Sequence, residues 1–140
     1  MRDQVTLGRR SNRGHSSLVI KVALGAVVGG AAAGYALVRP RRVVVEGHSM
    51  EPTLAPGDRL LVTRASHLQA GDVVAVRDPR DRDRVLVKRV AALLDDEVVL
   101  RGDNPRASTD SRSFGGVTRR AVLGRVVRRY APSWRAGPVR

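Results

Sequence analysis

From residue 42 onward, apolar and polar residues alternate in short runs. "RVVVEG" (42–47), "DRLLVTR" (58–64), "GDVVAVRD" (71–78), "RVLVKRVAAL" (84–93), "DEVVLRGD" (96–103) and "VLGRVVRRY" (123–130) are rich in Val and Leu. Each is bounded by Gly, Asp or Pro, so each reads as a β-strand between turns. No amphipathic helix of useful length interrupts them. The pattern predicts an all-β fold: a compact, twisted antiparallel domain over 39–130, partly barrel-like. The closing "APSWRAGPVR" (131–140) reads as a flexible tail, with Trp134 at a lipid interface.

The first 38 residues follow another pattern. Residues 1–17 are polar and basic and read as a disordered tail. "LVIKVALGAVVGGAAAGYALV" (18–38) is apolar apart from Lys21. The uncharged run after Lys21 spans roughly 25 Å as a helix, near the lower limit for a bilayer, and Lys21 can snorkel to extend it. The segment reads as one transmembrane anchor. A cleaved signal peptide with its processing site near Ala31–Ala33 is a second reading. A buried soluble helix is a third, opposed by the lack of a polar face. Basic residues flank both ends, and the positive-inside rule slightly favours a cytoplasmic amino terminus. The β-domain is therefore expected on the extracytoplasmic side of the cell membrane.

Composition narrows the chemistry. The chain has 140 residues, a net charge of +13, 3% aromatic residues and no cysteine. Disulfides and thiolate metal sites are excluded, and His15, His48 and His67 lack metal-ligand spacing. No cofactor is expected. The positive charge is spread along the chain, interleaved with acids in "RDPRDRDR" (77–84), and few aromatics are present to stack bases. Lipid is thus expected as a partner, and nucleic acid is not. Of the 26 basic residues only Lys21 and Lys88 are lysine. Where arginine serves nearly everywhere, a lysine in a strand invites a chemical reason.

Ser49, in "EGHSMEPTLAPGD" (46–58), is a candidate nucleophile, and a serine hydroxyl needs a base. His48 is its direct neighbour, so on an extended segment the imidazole points the other way. His67 lies in a connecting loop. In "RVLVKRVAAL", alternation puts Leu86, Lys88 and Val90 on one face and Val87 and Arg89 on the other. An amine among aliphatic groups is desolvated, which lowers its pKa and lets it accept a proton. Arginine cannot do this. From the residues alone, a proton-accepting lysine and a snorkelling structural lysine both stand.

The same stretches resemble the signal peptidase I family. "EGHSMEPTLAPGDRLLV" (46–62) is similar to its nucleophile box and "GDVVAVRDP" (71–79) to the strand that follows. "VLVKRVAAL" (85–93) is similar to its lysine box and "RGDNPRASTDSRSFGGV" (101–117) to its last box. The resemblance covers most of 43–117. It implies a membrane-anchored serine endopeptidase that cuts signal or leader peptides after a small-x-small, Ala-x-Ala motif through an acyl-enzyme. It implies Ser49 as nucleophile and Lys88 as general base, with Ser108 orienting the lysine. Asp103, Asp110 and Arg112 would brace the site, and Met50 and Leu54 would line the substrate pocket. Gly47 stands where some members carry a serine that assists the oxyanion. The lysine box runs into "AALLDDE" rather than the usual Gly-rich turn, and the second domain of larger members is missing. Such a minimal core also suits a specialised maturation protease, such as that of nickel superoxide dismutase. A non-catalytic basic β-domain that binds anionic lipid or nucleic acid is the reading outside the enzyme class.

Overall fold

The computed structural model describes residues 39–140. The expected tail (1–17) and membrane anchor (18–38) lie outside the described residues. Among the described residues, no helix is long and apolar enough to cross a membrane.

Eight strands form one antiparallel sheet: β1 (Arg41–Val44), β2 (Arg59–Thr63), β3 (Val73–Asp78), β4 (Asp81–Leu93), β5 (Glu97–Arg101), β6 (Val117–Thr118), β7 (Val122–Ala131) and β8 (Gly137–Pro138). The order across the sheet is β1-β2-β7-β3-β4-β5-β6, with β8 paired to the far end of β7. All six strands expected from alternation are present. A single helical turn, α1 (Ser111–Phe114), starts on Asp110, whose side chain accepts from the Arg112 N–H.

β3 explains the layering. Its run Val73–Val76 is fully buried, as expected for a strand covered on both faces. Val73 and Ala75 join one core with Val45, Met50, Leu54, Leu60, Val62 and Val126. Val74 and Val76 join a second core with Leu86, Val90, Val98, Leu100 and Val117. Both cores are aliphatic, and each Val or Leu removed from water contributes roughly 1.5–3 kcal/mol.

The segment 131–140, expected to be a flexible tail, is instead held against the sheet. Ser133–Arg135 forms a 3-10 turn, and Gly137 and Pro138 pair with Arg129 and Arg128 of β7. Arg135 Nη1 reaches the buried Asp58 carboxylate at 3.3 Å, and Val139 packs on the first core. Proline and glycine suggested a loose end, but arginine–aspartate pairing over a long sequence separation holds the segment. Trp134 is 82% exposed.

Candidate active site

Ser49 follows β1 in a turn. The Glu51 N–H donates to the His48 carbonyl (3.2 Å) and the Leu54 N–H to the Met50 carbonyl (2.8 Å), which leaves the Ser49 N–H without an acceptor among the described residues. His48 points outward, as alternation predicts, and meets Glu51 at 3.1 Å. Asp58 ends this loop. It is buried, caps the Ala55 N–H, and is gripped by Arg129 (3.1 Å) and Arg135 (3.3 Å). From the sequence Asp58 is only a turn signal, because both arginines lie some seventy residues away.

Lys88 sits in the middle of β4, where the pattern buries Leu86, Lys88 and Val90 and leaves Val87 and Arg89 partly exposed. Its partner on β3 is the fully buried Val74. Only 3% of Lys88 is exposed. Burial pushes its pKa below the ordinary lysine value. Asp110 opposes that, and the charges of Arg84, Arg80 and Arg112 add to it. No carboxylate lies within ion-pair distance of the amine among the described residues. Its neighbour is Ser108, with Nζ donating to Oγ at 3.1 Å.

Ser108 in turn donates to Asp110 Oδ2 at 2.8 Å. Its single proton is thus committed to the carboxylate, so it faces Lys88 as an acceptor. The interaction uses an N–H of the amine, so in the neutral form the nitrogen lone pair stays free. Asp110 is wholly buried. Burial alone would raise its pKa. Two hydrogen bonds from the Arg112 side chain (2.9 and 2.8 Å), the Gly102 and Arg112 N–H groups, and Ser108 outweigh that and hold it well below the usual carboxylate range.

Gly102 joins the two halves. Arg89 pairs with Arg101, so the ladder brings Gly102 level with Lys88. A Cβ on Gly102 would overlap the Ser108 side chain and the Ser49 carbonyl. That carbonyl accepts from the Asn104 N–H at 2.9 Å. Strand pairing thereby brings the backbone of Ser49 against Ser108, across more than fifty residues of chain. The glycine of "RGDN" thus serves close packing.

Asp103 lies elsewhere than its neighbours in sequence imply. It faces Arg89, taking two hydrogen bonds at 2.8 and 2.7 Å, and accepts from Thr53 Oγ1 at 2.6 Å. Arg89, and then Thr53, hold its carboxyl below the usual range. Asp103 therefore ties the loop after Ser49 to the face of β4 opposite Lys88.

A groove of about 650 Å³ runs between residues 43–50 on one wall and 80–88 on the other, with Ala107 and Thr109 at one end. Ser49 and Lys88 both line it, and so does Met50. Leu54, expected in the pocket, does not. It is completely buried in the first core, because the turn folds it beneath the loop. Gly47 lines the groove, and open space lies where its side chain would be.

Comparison with known proteins shows the family. The family model "Signal peptidase, peptidase S26" matches residues 16–104, a span that includes Ser49 and Lys88 and ends before Ser108. Among relatives, the mitochondrial ATP-independent inner membrane protease subunit 1a of Arabidopsis thaliana is 35% identical, over 69% of this chain and 73% of that protein. Mitochondrial inner membrane protease subunit 1 of Xenopus tropicalis is 31% identical, over 70% and 73%. That of Homo sapiens is 30% identical, over 60% and 65%. The chain belongs to the signal peptidase family, peptidase S26.

Proposed function

We propose that the protein is a serine endopeptidase that removes N-terminal signal or leader peptides after a small-x-small motif, with Ser49 as nucleophile and Lys88 as general base. The observation that carries this is the state of the Lys88 amine. It is buried among aliphatic side chains, has no carboxylate partner in ion-pair distance among the described residues, and shares a groove with Ser49. An amine so placed is readily neutral, and a neutral amine takes a proton.

In this reading the substrate lies in the groove and Ser49 Oγ attacks the scissile carbonyl while Lys88 Nζ takes the hydroxyl proton. The Ser49 N–H, without an acceptor among the described residues, holds the oxyanion in this reading, with no side-chain donor from Gly47. The ammonium of Lys88 then gives its proton to the leaving amine as the C–N bond breaks. Water, deprotonated by the same lysine, releases the acyl group and restores Ser49. Ser108 fixes the amine, and the Asp110–Arg112 pair fixes Ser108. Met50 borders the place for the small side chain before the cut. The segment 18–38 anchors the chain in the cell membrane with the β-domain on the extracytoplasmic side. Relatives named as inner membrane proteases support attachment to a membrane.

The test is cleavage of an Ala-x-Ala leader peptide by the purified chain, with mass spectrometry of the products. Ser49→Ala is expected to abolish cleavage while retaining the wild-type melting temperature; Lys88→Arg is expected to abolish it with a lower melting temperature, because it forces a permanent charge into the buried site. Full activity of Lys88→Arg would refute the lysine-base mechanism.

A further inference from the structure

The chain holds 26 basic residues against 13 acidic ones, so a carboxylate without a cationic partner stands out. Asp58, Asp72, Asp78, Asp103 and Asp110 each have an arginine partner. Three acids on the groove do not. Glu46, Asp81 and Asp83 line it, are exposed, and have no cationic side chain within ion-pair distance among the described residues. The other described acids left unpaired, Asp95, Asp96 and Glu97, lie together where β4 turns into β5. Of the two arginines on the groove, Arg80 is held by Asp78, and Arg84 shares the face of Lys88.

Alternation sorts the groove walls. Val43 and Val45 turn inward on one wall, and Leu86 and Lys88 on the other. Glu46 and His48 turn outward, as do Asp81 and Asp83. The turn that presents Ser49 brings Glu51 back to His48, whose Nδ1 meets Oε1 at 3.1 Å. A carboxylate only accepts, so in the neutral ring Nδ1 carries the hydrogen. Nε2 is then an acceptor, and it has no partner among the described residues. The outward rim beside the nucleophile thus presents a ring-nitrogen lone pair and the carboxylates of Glu46 and Glu51, with Asp81 and Asp83 on the facing wall. Its outward side chains offer acceptors and negative charge, and no donor.

We propose that this rim selects a basic side chain, arginine or lysine, at the middle position of the small-x-small motif. The inference rests on the peptidase reading above and adds the chemical class of the middle residue. That reading puts the residues before the cut in the groove, because those are the ones selected. An extended peptide alternates its side chains as the walls do. The small residue at the cut turns inward, toward Met50. The residue before it therefore turns outward, to the rim of His48 and Glu46. A guanidinium there donates to Nε2 and pairs with the Glu46 carboxylate. A carboxylate there meets acceptors and like charge. The chain as a whole, at +13, pulls the other way and favours an acidic peptide. A preference for a basic residue must therefore come from the rim.

The test uses fluorescein-labelled leader peptides with Ala-Arg-Ala, Ala-Gln-Ala or Ala-Glu-Ala before the cut. They are bound to the full chain carrying Ser49→Ala, in detergent, and read by anisotropy. Affinity should fall in that order, by about fivefold at each step, the upper end for an exposed ion pair. Added salt should narrow the spread. With Ser49 restored, the same order should appear in kcat/KM, carried by KM. A Glu46→Arg, His48→Arg double variant should reverse the order, which loss of a merely structural contact would not do. Equal binding of the three peptides, or tightest binding of the glutamate peptide, overturns the proposal even if all three are cut. So does an unchanged order in the double variant. Should no peptide be cut while the arginine peptide still binds best, the peptidase reading falls and the selectivity of the rim stands. The three-peptide comparison needs no change at the rim, so it decides the proposal should the double variant fold poorly.

Discussion

Lys88 and Arg89 are consecutive cations on one strand, and the protein treats them in opposite ways. Alternation turns Lys88 inward, where it is 3% exposed, faces Val74, and has Ser108 as its polar neighbour. Arg89 turns to the other face and is held by the Asp103 carboxylate, the Gly71 carbonyl and the Arg140 carbonyl. Among the described residues, one cation is desolvated without a direct counter-charge; the other is paired. Burial without pairing destabilises the charged form and frees an amine for proton transfer. Pairing fixes the charge and turns it into a structural tie. Residues 102 and 103 repeat the division, with Gly102 serving the lysine face and Asp103 the arginine face.

The largest effect that would sharpen this contrast is at Lys88. Lys88→Met keeps the volume and removes the amine. We expect leader-peptide cleavage to fall by at least the 10²–10⁴-fold typical of a lost general base. The melting temperature should stay level or rise, because a desolvated amine is replaced by an apolar chain. A marked fall in melting temperature would mean that the amine is structural, and the contrast with Arg89 would collapse.

Gly102→Ala comes next. The added methyl must displace Ser108 or the Ser49 carbonyl, so kcat should drop sharply. Overpacking of this kind costs typically 1–3 kcal/mol, visible as a lower melting temperature. Wild-type kcat in this variant would show that the Ser49–Ser108 contact is not needed.

On the arginine face the balance should invert. Asp103→Asn leaves Arg89 half-paired and loosens Thr53. Both partners of the pair are partly solvated, which discounts the loss to about 1–2 kcal/mol. Urea unfolding should report that loss, and cleavage per folded molecule should fall far less than in Lys88→Met. The acid side offers a second reading. Asp103 is held below its ordinary value of 3.8 in the fold, so the unfolded chain takes up protons first as the pH falls. Its contribution is complete above about pH 4 and is lost below it. The Asp103→Asn variant should show a shallower acid slope of melting temperature.

How much of this was open to reading before the fold was known differs by element. Alternation and turn residues marked six strands, and alternation alone placed Lys88 inward and Arg89 outward. β6 and β8 escaped because two residues carry no period. The last ten residues escaped because their hold depends on Asp58, some seventy positions earlier. At the site, Ser108, Asp110 and Arg112 were marked by resemblance and not by spacing: "ASTDSR" would suit any polar turn. Leu54 was misplaced because alternation does not extend into a turn, where the chain reverses and the side chain goes under. The closeness of Gly102 to Ser49 depends on strand register, which local sequence does not encode.

The finest test of the contrast concerns the field around the amine. Arg84 shares the Lys88 face of β4, four residues earlier, and lines the same groove. Its charge, with those of Arg80 and Arg112, depresses the Lys88 pKa, whereas Asp110 raises it. Arg80 is tied to Asp78 and Arg112 to Asp110, so removing either would disturb a carboxylate as well. Arg84 has no such partner among the described residues, so Arg84→Gln changes the field alone. Loss of a nearby positive charge makes the ammonium easier to keep. The acid limb of kcat/KM should therefore move to higher pH, with the plateau above it unchanged. Added salt should move the wild-type limb the same way, since screening weakens Arg84 more than it weakens burial. A limb that ignores both changes would mean that the titrating group is not the buried amine of Lys88, and the division between the two faces of β4 would no longer explain the chemistry.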